Sequence, residues 1–141
     1  MKITTTRFGE IDIAEDKIIK FNQGIPGFEE ERDFAIIPYD EKSPFLFLQS
    51  LSQGDLAFLI INPFLIFPDY EFEIDDLSIE ELQVKQSEEM LTYTIITMTD
   101  GDIKKMTTNL IAPLIINKSN NLAKQVVLEK SNYTTKHSLF E

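Results

Sequence analysis

Cysteine and tryptophan are absent from the 141 residues, and histidine occurs once, at His137. Without thiols there is neither a disulfide framework nor a thiolate metal site, and one imidazole cannot make a histidine-rich metal centre. It could still orient a serine nucleophile, but no Gly-x-Ser-x-Gly elbow is present and Ser50, Ser52 and Ser87 fall in turn-like stretches. His137 is therefore read as a surface or packing residue. No apolar stretch is long enough to span a bilayer, and the start, Met1-Lys-Ile-Thr-Thr-Thr-Arg-Phe8, lacks the apolar core of a signal peptide. The expectation is a cytoplasmic protein with no membrane contact. Repeats, linkers and low-complexity segments are missing too. Gln23-Gly-Ile-Pro-Gly-Phe28 is glycine-rich but has neither the lysine nor the hydroxyl residue of a phosphate cradle, and Glu29, Glu30 and Glu31 follow it. It reads as a tight turn with Phe28 as its apolar anchor.

What the chain does have is negative charge and phenylalanine. A formal net charge of -11 repels phosphate backbones, so direct nucleic-acid binding is not expected, while a basic partner would be attracted. Eleven phenylalanines carry the aromatic burial, and 43 % hydrophobic residues suit one domain over residues 1–141 with a single core. The stretch that organises it is Asn109-Leu-Ile-Ala-Pro-Leu-Ile-Ile-Asn117, almost wholly apolar, with β-branched Ile111, Ile115 and Ile116 and a turn-favouring asparagine at each end. It reads as a buried strand in which Pro113 marks an edge, a bulge or a break between two short strands.

Other strand signals precede and follow it. Segments 2–7, 10–13 and 17–21 read as an antiparallel meander, 34–39, 44–49 and 56–62 as further strands with the last two central, and Gln53-Gly-Asp55 as a hairpin turn. Tyr70 to Ile74 alternates apolar residues with Glu71 and Glu73, the pattern of a strand with one wet face. Ser78 followed by Glu81 predicts a capping box opening a short helix that runs to about Val84. Residues 90–99 read as a strand, Asp100-Gly101 as a turn, 102–108 as one helical turn, Ser119-Asn-Asn121 as a turn, 124–128 as a last strand, and 133–140 as a tail docked on the sheet. Many short strands with one clear helix start predict a mainly β fold, a small irregular antiparallel barrel with one or two short helices on the rim.

The only candidates for chemistry are carboxylates. Glu71, Glu73, Asp75 and Asp76 could supply an acid and a base, but without tryptophan platforms for a sugar they read better as a solvated acidic face able to steer a cationic partner. No catalytic residue, cofactor or metal is assigned. Phe64-Leu-Ile-Phe67 reads as core rather than as a partner groove.

Several of these segments, in this order and spacing, resemble one family, the flagellar assembly factor W (FliW) proteins. The resemblance rests on Arg7-Phe-Gly-Glu-Ile11, Gly24-Ile-Pro-Gly-Phe28, Phe45-Leu-Phe-Leu-Gln-Ser50, Ile61-Asn-Pro63, Asp69-Tyr70, Thr108-Asn-Leu-Ile-Ala-Pro-Leu-Ile-Ile-Asn117, Gln125-Val-Val-Leu128 and Tyr133-Thr-Thr-Lys-His137, essentially the whole chain. This chain departs from the family at Ala123, where a turn glycine is usual, and at Lys136 and Ser138, which flank the tail histidine in place of arginine and proline. The resemblance implies a non-enzymatic β-barrel protein, monomeric when free, that antagonises CsrA, a small basic RNA-binding translational regulator, away from its RNA surface, and that also binds cytoplasmic flagellin. Flagellin would occupy the factor while it accumulates and release it to the regulator once secreted. On this reading Glu71, Glu73, Asp75 and Asp76 favour the regulator, and some of Phe45, Phe47, Phe64 and Phe67 line a groove. The alternatives are a flagellin chaperone that ignores the regulator, and a carboxylate-dependent hydrolase.

Overall fold

The structure is a computed structural model that describes residues 1–98, 101–128 and 133–139. Its strands in chain order are β1 (Lys2–Thr5), β2 (Gly9–Asp12), β3 (Ile19–Phe21), β4 (Asp33–Pro38), β5 (Leu46–Ser50), β6 (Ala57–Ile61), β7 (Met90–Thr97), β8 (Thr107–Thr108), β9 (Leu114–Asn117), β10 (Leu122–Gln125) and β11 (His137–Ser138). Hydrogen-bonded neighbours follow the order β7, β6, β5, β4, β3, β10, β9, and β9 pairs again with β7, so the sheet closes on itself. The mainly β barrel read from the sequence is what the chain forms. Its pairs are antiparallel except β3 with β10, where Leu122 lies opposite Lys20 and Ala123 opposite Phe21 in a parallel ladder. These two strands lie far apart in sequence, so no hairpin dictates their direction.

Alternation along the strands divides the apolar residues between the barrel interior and three outer layers. Ile19, Phe21, Phe34, Leu48, Ile60, Leu114, Ile116 and Ala123 fill the interior with Ile25. Ile115 points the other way, into a second cluster with Tyr70, Leu82, Leu110, Val126 and Leu128. Every residue of β9 is therefore buried, which is why its sequence is a continuous apolar run instead of an alternating one. Outside β4 and β5, Ile3, Ala35 and Leu51 pack the β1–β2 hairpin against the barrel. Ile61, Ile96, Met106 and Leu139 make the fourth cluster, where the tail strand β11 extends the sheet beyond β8.

One α-helix is present among the described residues, α1 (Asp76–Leu82). Its N-cap is Asp75 and not Ser78: the Asp75 carboxylate accepts the Ser78 N–H at 3.1 Å and the Ser78 hydroxyl at 2.7 Å. An aspartate one turn earlier satisfies the orphan donors directly, so the Ser78–Glu81 capping box is not used. The helix ends at Gln83, which takes the left-handed conformation (φ 57). Asn117 then closes it from the barrel side. Wholly buried, its amide donates to the carbonyls of Leu82 (2.8 Å) and Gln83 (3.3 Å) while its oxygen accepts the Ser119 N–H (2.9 Å).

Other expectations change as well. Strands β1 and β2 pair only with each other, and β3 joins β4 instead of continuing a meander. In the organising stretch only Leu114–Asn117 is strand; Pro113 is the break, and Asn109 caps the bend before it by accepting the Ala112 N–H at 3.1 Å. Residues 70–74 keep their alternating burial but form no ladder, and Ala123 lies inside β10, not in a turn. Phe28 packs edge-on against Phe58 yet stays 40 % exposed. Asp100 and Phe140 lie outside the described residues.

Because Asn117 joins the helix end to the strand that closes the barrel, Asn117→Ala is expected to cost about 1–3 kcal/mol. The check is urea unfolding: the midpoint falls with the slope unchanged, and an unaltered midpoint would show that the clamp contributes nothing.

Candidate functional site

The extended segment from Tyr70 to Asp75 is held at both ends and along its apolar face. Tyr70 is buried, and its hydroxyl donates to the Leu110 carbonyl at 2.6 Å. Burial, helped by neighbouring Tyr133, pushes the Tyr70 phenol far above its usual range, so it stays a neutral donor. The Tyr133 ring meets Tyr70 edge-on at 4.7 Å between centroids, and its hydroxyl both donates to the Glu71 carbonyl and accepts the Glu71 N–H, each at 3.2 Å. Phe72 and Ile74 pack onto the cluster around Ile115, which turns Glu71 and Glu73 outward. Asp75 then caps α1.

Opposite this segment runs the chain from Lys124 to Leu128, and between them lies an open groove of about 1200 Å³. Glu71, Glu73, Asp75 and Asp76 stand along one side of it, so the fold does bring the predicted acidic residues together. Lys124 is the one cation among its described lining residues, and it is already engaged: its ammonium lies 3.1 Å from the Glu81 carboxylate and donates to the Ser78 hydroxyl at 2.9 Å. Glu81 is also bonded by the Gln23 amide. Beside that cluster a smaller cleft of about 240 Å³ opens between Gln23 and Leu122.

The four phenylalanines are not gathered in one groove. Phe47 is buried against Phe8, with the Arg7 guanidinium 4.4 Å above its ring. Phe45 and Phe67 are half-buried against the cluster beneath the tail, where the His137 ring meets Phe67 edge-on at 5.4 Å. Phe64 alone reaches the acidic side, stacked on Phe72 at 6.5 Å. It belongs to a 3₁₀ turn, Pro63–Leu65, that leaves Phe64, Leu65 and Ile66 exposed by 40, 62 and 38 %. The sequence reading placed this run in the core. Pro63, at the first position of the turn, and the Asn62 side chain, which accepts the Phe64 N–H at 3.0 Å, force the chain outward there.

Sequence reasoning missed the second wall. Val127 is 57 % exposed at the groove although the run from Lys124 to Leu128 looks like a buried strand. Tyr133 was noticed only as part of a tail.

Hydrogen bonds from Ser78 hold the Asp75 carboxyl below the usual aspartate range, with Lys124 adding a smaller pull in the same direction. A group tuned this way is an acceptor that stays ionised, whereas a general acid needs its proton held more tightly.

Comparison with known proteins gives one answer. The family model described as "FliW protein" matches residues 2–139. The flagellar assembly factor FliW of Bacillus subtilis (strain 168) is 45 % identical over 139 residues, covering 99 % of this chain and 96 % of its own. That of Desulfitobacterium hafniense (strain Y51) is 43 % identical over 140 residues, covering 99 % of this chain and 91 % of its own. A crystal structure of the flagellar assembly factor FliW superposes with a TM-score of 0.93 at 42 % identity, over 100 % of this chain and 98 % of that one.

The folded Asp75 pKa lies below its unfolded value, so its stabilisation is complete above the ordinary aspartate range and is lost as the pH falls through the lower folded value. Asp75→Asn keeps a cap but does not titrate, and Asp75→Ala loses about 1 kcal/mol at neutral pH. Unfolding free energies measured at neutral and acid pH should therefore converge for wild type and Asp75→Asn on acidification. A constant difference would remove the carboxylate from the acid response.

Proposed function

The chain belongs to the FliW family, and from that premise we propose that it acts by binding alone, antagonising CsrA and taking flagellin in exchange, so that flagellin translation follows flagellin secretion. The two partners are those that the resemblance of the sequence implies. The observation that carries the reading to this molecule is the groove along which Glu71, Glu73 and Asp76 are exposed, while Lys124, the one cation among its described lining residues, is already paired. On a chain of net charge -11, such a wall steers a small basic protein towards it. The regulator is held away from its RNA surface, and its repression is relieved sterically or allosterically.

Flagellin, through an amphipathic helical end, takes the exposed Phe64-Leu-Ile66 knuckle, which offers apolar anchors of the kind a helix buries. Phe64 stacks on Phe72 at the groove margin, so the two docking surfaces adjoin and a partner on one obstructs the other. Linkage does the rest: whichever partner raises its free concentration lowers occupancy by the other, with no bond made or broken.

Calorimetric titration with CsrA from the same organism, repeated after saturation with flagellin, tests the exchange. Heat with CsrA that flagellin abolishes supports it, while flagellin binding with no heat from CsrA leaves a secretion chaperone. A paired substitution assigns the surfaces. Glu71→Lys with Glu73→Lys is expected to slow CsrA association and flatten its salt dependence, and Leu65→Asp to weaken flagellin about tenfold or more through loss of a buried anchor. Unchanged association rates in the double variant would dismiss the acidic wall.

A further inference from the structure

The two walls of the groove share a property that charge does not explain: both are extended chain with unused backbone groups. Beyond β10 the chain stays extended, and on its inner side the Val126 N–H donates to the Pro113 carbonyl (2.9 Å) and the Leu128 N–H to the Ile111 carbonyl (2.7 Å). Alternate residues of a strand turn their amides to opposite edges. The amide and carbonyl of Val127 therefore face the other way, and among the described residues neither has a hydrogen-bond partner. β3, which pairs the outer edge of β10, reaches only Ala123, so no described strand of the barrel continues along this edge. Across the groove, the backbone groups of Phe72, Glu73 and Ile74 are likewise without partners among the described residues.

We infer that this groove is a slot for strand addition: an extended segment that alternates basic and apolar residues lies between Val127 and the Phe72–Ile74 backbone and completes the ladder. Three observations fix that occupant. The groove is open and flanked by extended chain on both sides, so a length of extended polypeptide suits it. Alternation in the guest follows from the pleat: one face meets the apolar floor around Val126 and Tyr133, the other the carboxylates of Glu71 and Glu73. The sign of its charge follows from the walls. A second copy of this chain would bring its own acidic surface to the slot and be repelled, so the same carboxylates that admit a cationic strand protect an otherwise open edge from self-pairing. The acidic-wall reading above rests on long-range charge; this inference adds backbone pairing, and the two can fail separately.

The test uses a short synthetic peptide alternating lysine and valine, labelled for fluorescence anisotropy, and the same peptide with alternate backbone amides N-methylated so that one edge cannot donate. The unmodified peptide is expected to bind saturably, and N-methylation on the pairing edge to weaken it about tenfold or more, the value of a lost charge-neutral pair of hydrogen bonds. Val127→Pro, which removes the unpartnered amide without touching a bond the fold uses, should do the same while Val127→Thr binds normally. Equal binding of methylated and unmodified peptides, or no binding of either, overturns the slot. Should either happen while CsrA still gives heat dependent on Glu71 and Glu73, the acidic wall stands and only the strand pairing is lost.

Discussion

The pairing of β9 with β7 is the contact on which the rest of the molecule depends. Met90 to Tyr93 lie opposite Asn117 to Leu114, and without that ladder the sheet would be an open ribbon from β7 round to β9 with two unsatisfied edges. Closure has a second effect because β9 is buried on both faces. Its inward residues, Leu114 and Ile116, fill the barrel, while Ile115 and Asn117 project into the layer that carries the groove. Asn117 fixes the end of α1, α1 is opened by Asp75, and Asp75 terminates the acidic segment. The position of the acidic wall is thus set by the strand that closes the barrel.

Charge in that wall is kept available by how the nearest cation is used. Lys124 rises from β10 beside four carboxylates, yet its ammonium is committed to Glu81 and Ser78 on the helix. The pair is largely shielded from water, its side chains exposed by 21 and 25 %. What it does is hold the lysine against the helix, away from Glu71 and Glu73. The remaining carboxylates are solvated, so their field is spent on approaching partners and is screened within about 8 Å at physiological salt. On the proposed function, capture at this surface is consequently sensitive to ionic strength, whereas capture at the apolar knuckle around Leu65 is not.

Much of the barrel was legible because strands announce themselves through local pattern. The apolar runs of β5 and β6, the Gln53-Gly-Asp55 turn between them and the alternation of β7 all appear where the residues predict. What failed depends on competition between distant segments. Alternation over Tyr70 to Ile74 correctly foretold which side chains are buried, but a ladder also needs a neighbour at hydrogen-bonding distance, and here the facing chain stands across a groove. Ser78 and Glu81 made a valid capping box; Asp75 was simply better placed to accept the same amide. The Phe64 run was read as core because apolar runs usually are, and only the outward turn imposed by Asn62 and Pro63 exposes it. The acidic half of the site was visible as a cluster of carboxylates, while its other half could not be, since nothing local distinguishes an exposed Val127 from a buried Val126.

The groove is built to be rigid before anything enters it. Three segments far apart in sequence meet at Tyr70: its hydroxyl bonds Leu110, its ring meets Tyr133 edge-on, and the Tyr133 hydroxyl grips both backbone groups of Glu71. The opposite wall is tied to the bend before β9 through Val126 and Leu128. A partner therefore meets walls that need little ordering, and its binding energy is not consumed in shaping the site. Rigidity also limits the site's adaptability. On the proposed function, the apolar knuckle shares the Phe64–Phe72 stack with the groove margin, so a partner on one surface obstructs the other. On that reading exclusion arises from geometry alone, without any change of fold, and exclusion between two partners is the sole requirement for one to report the abundance of the other.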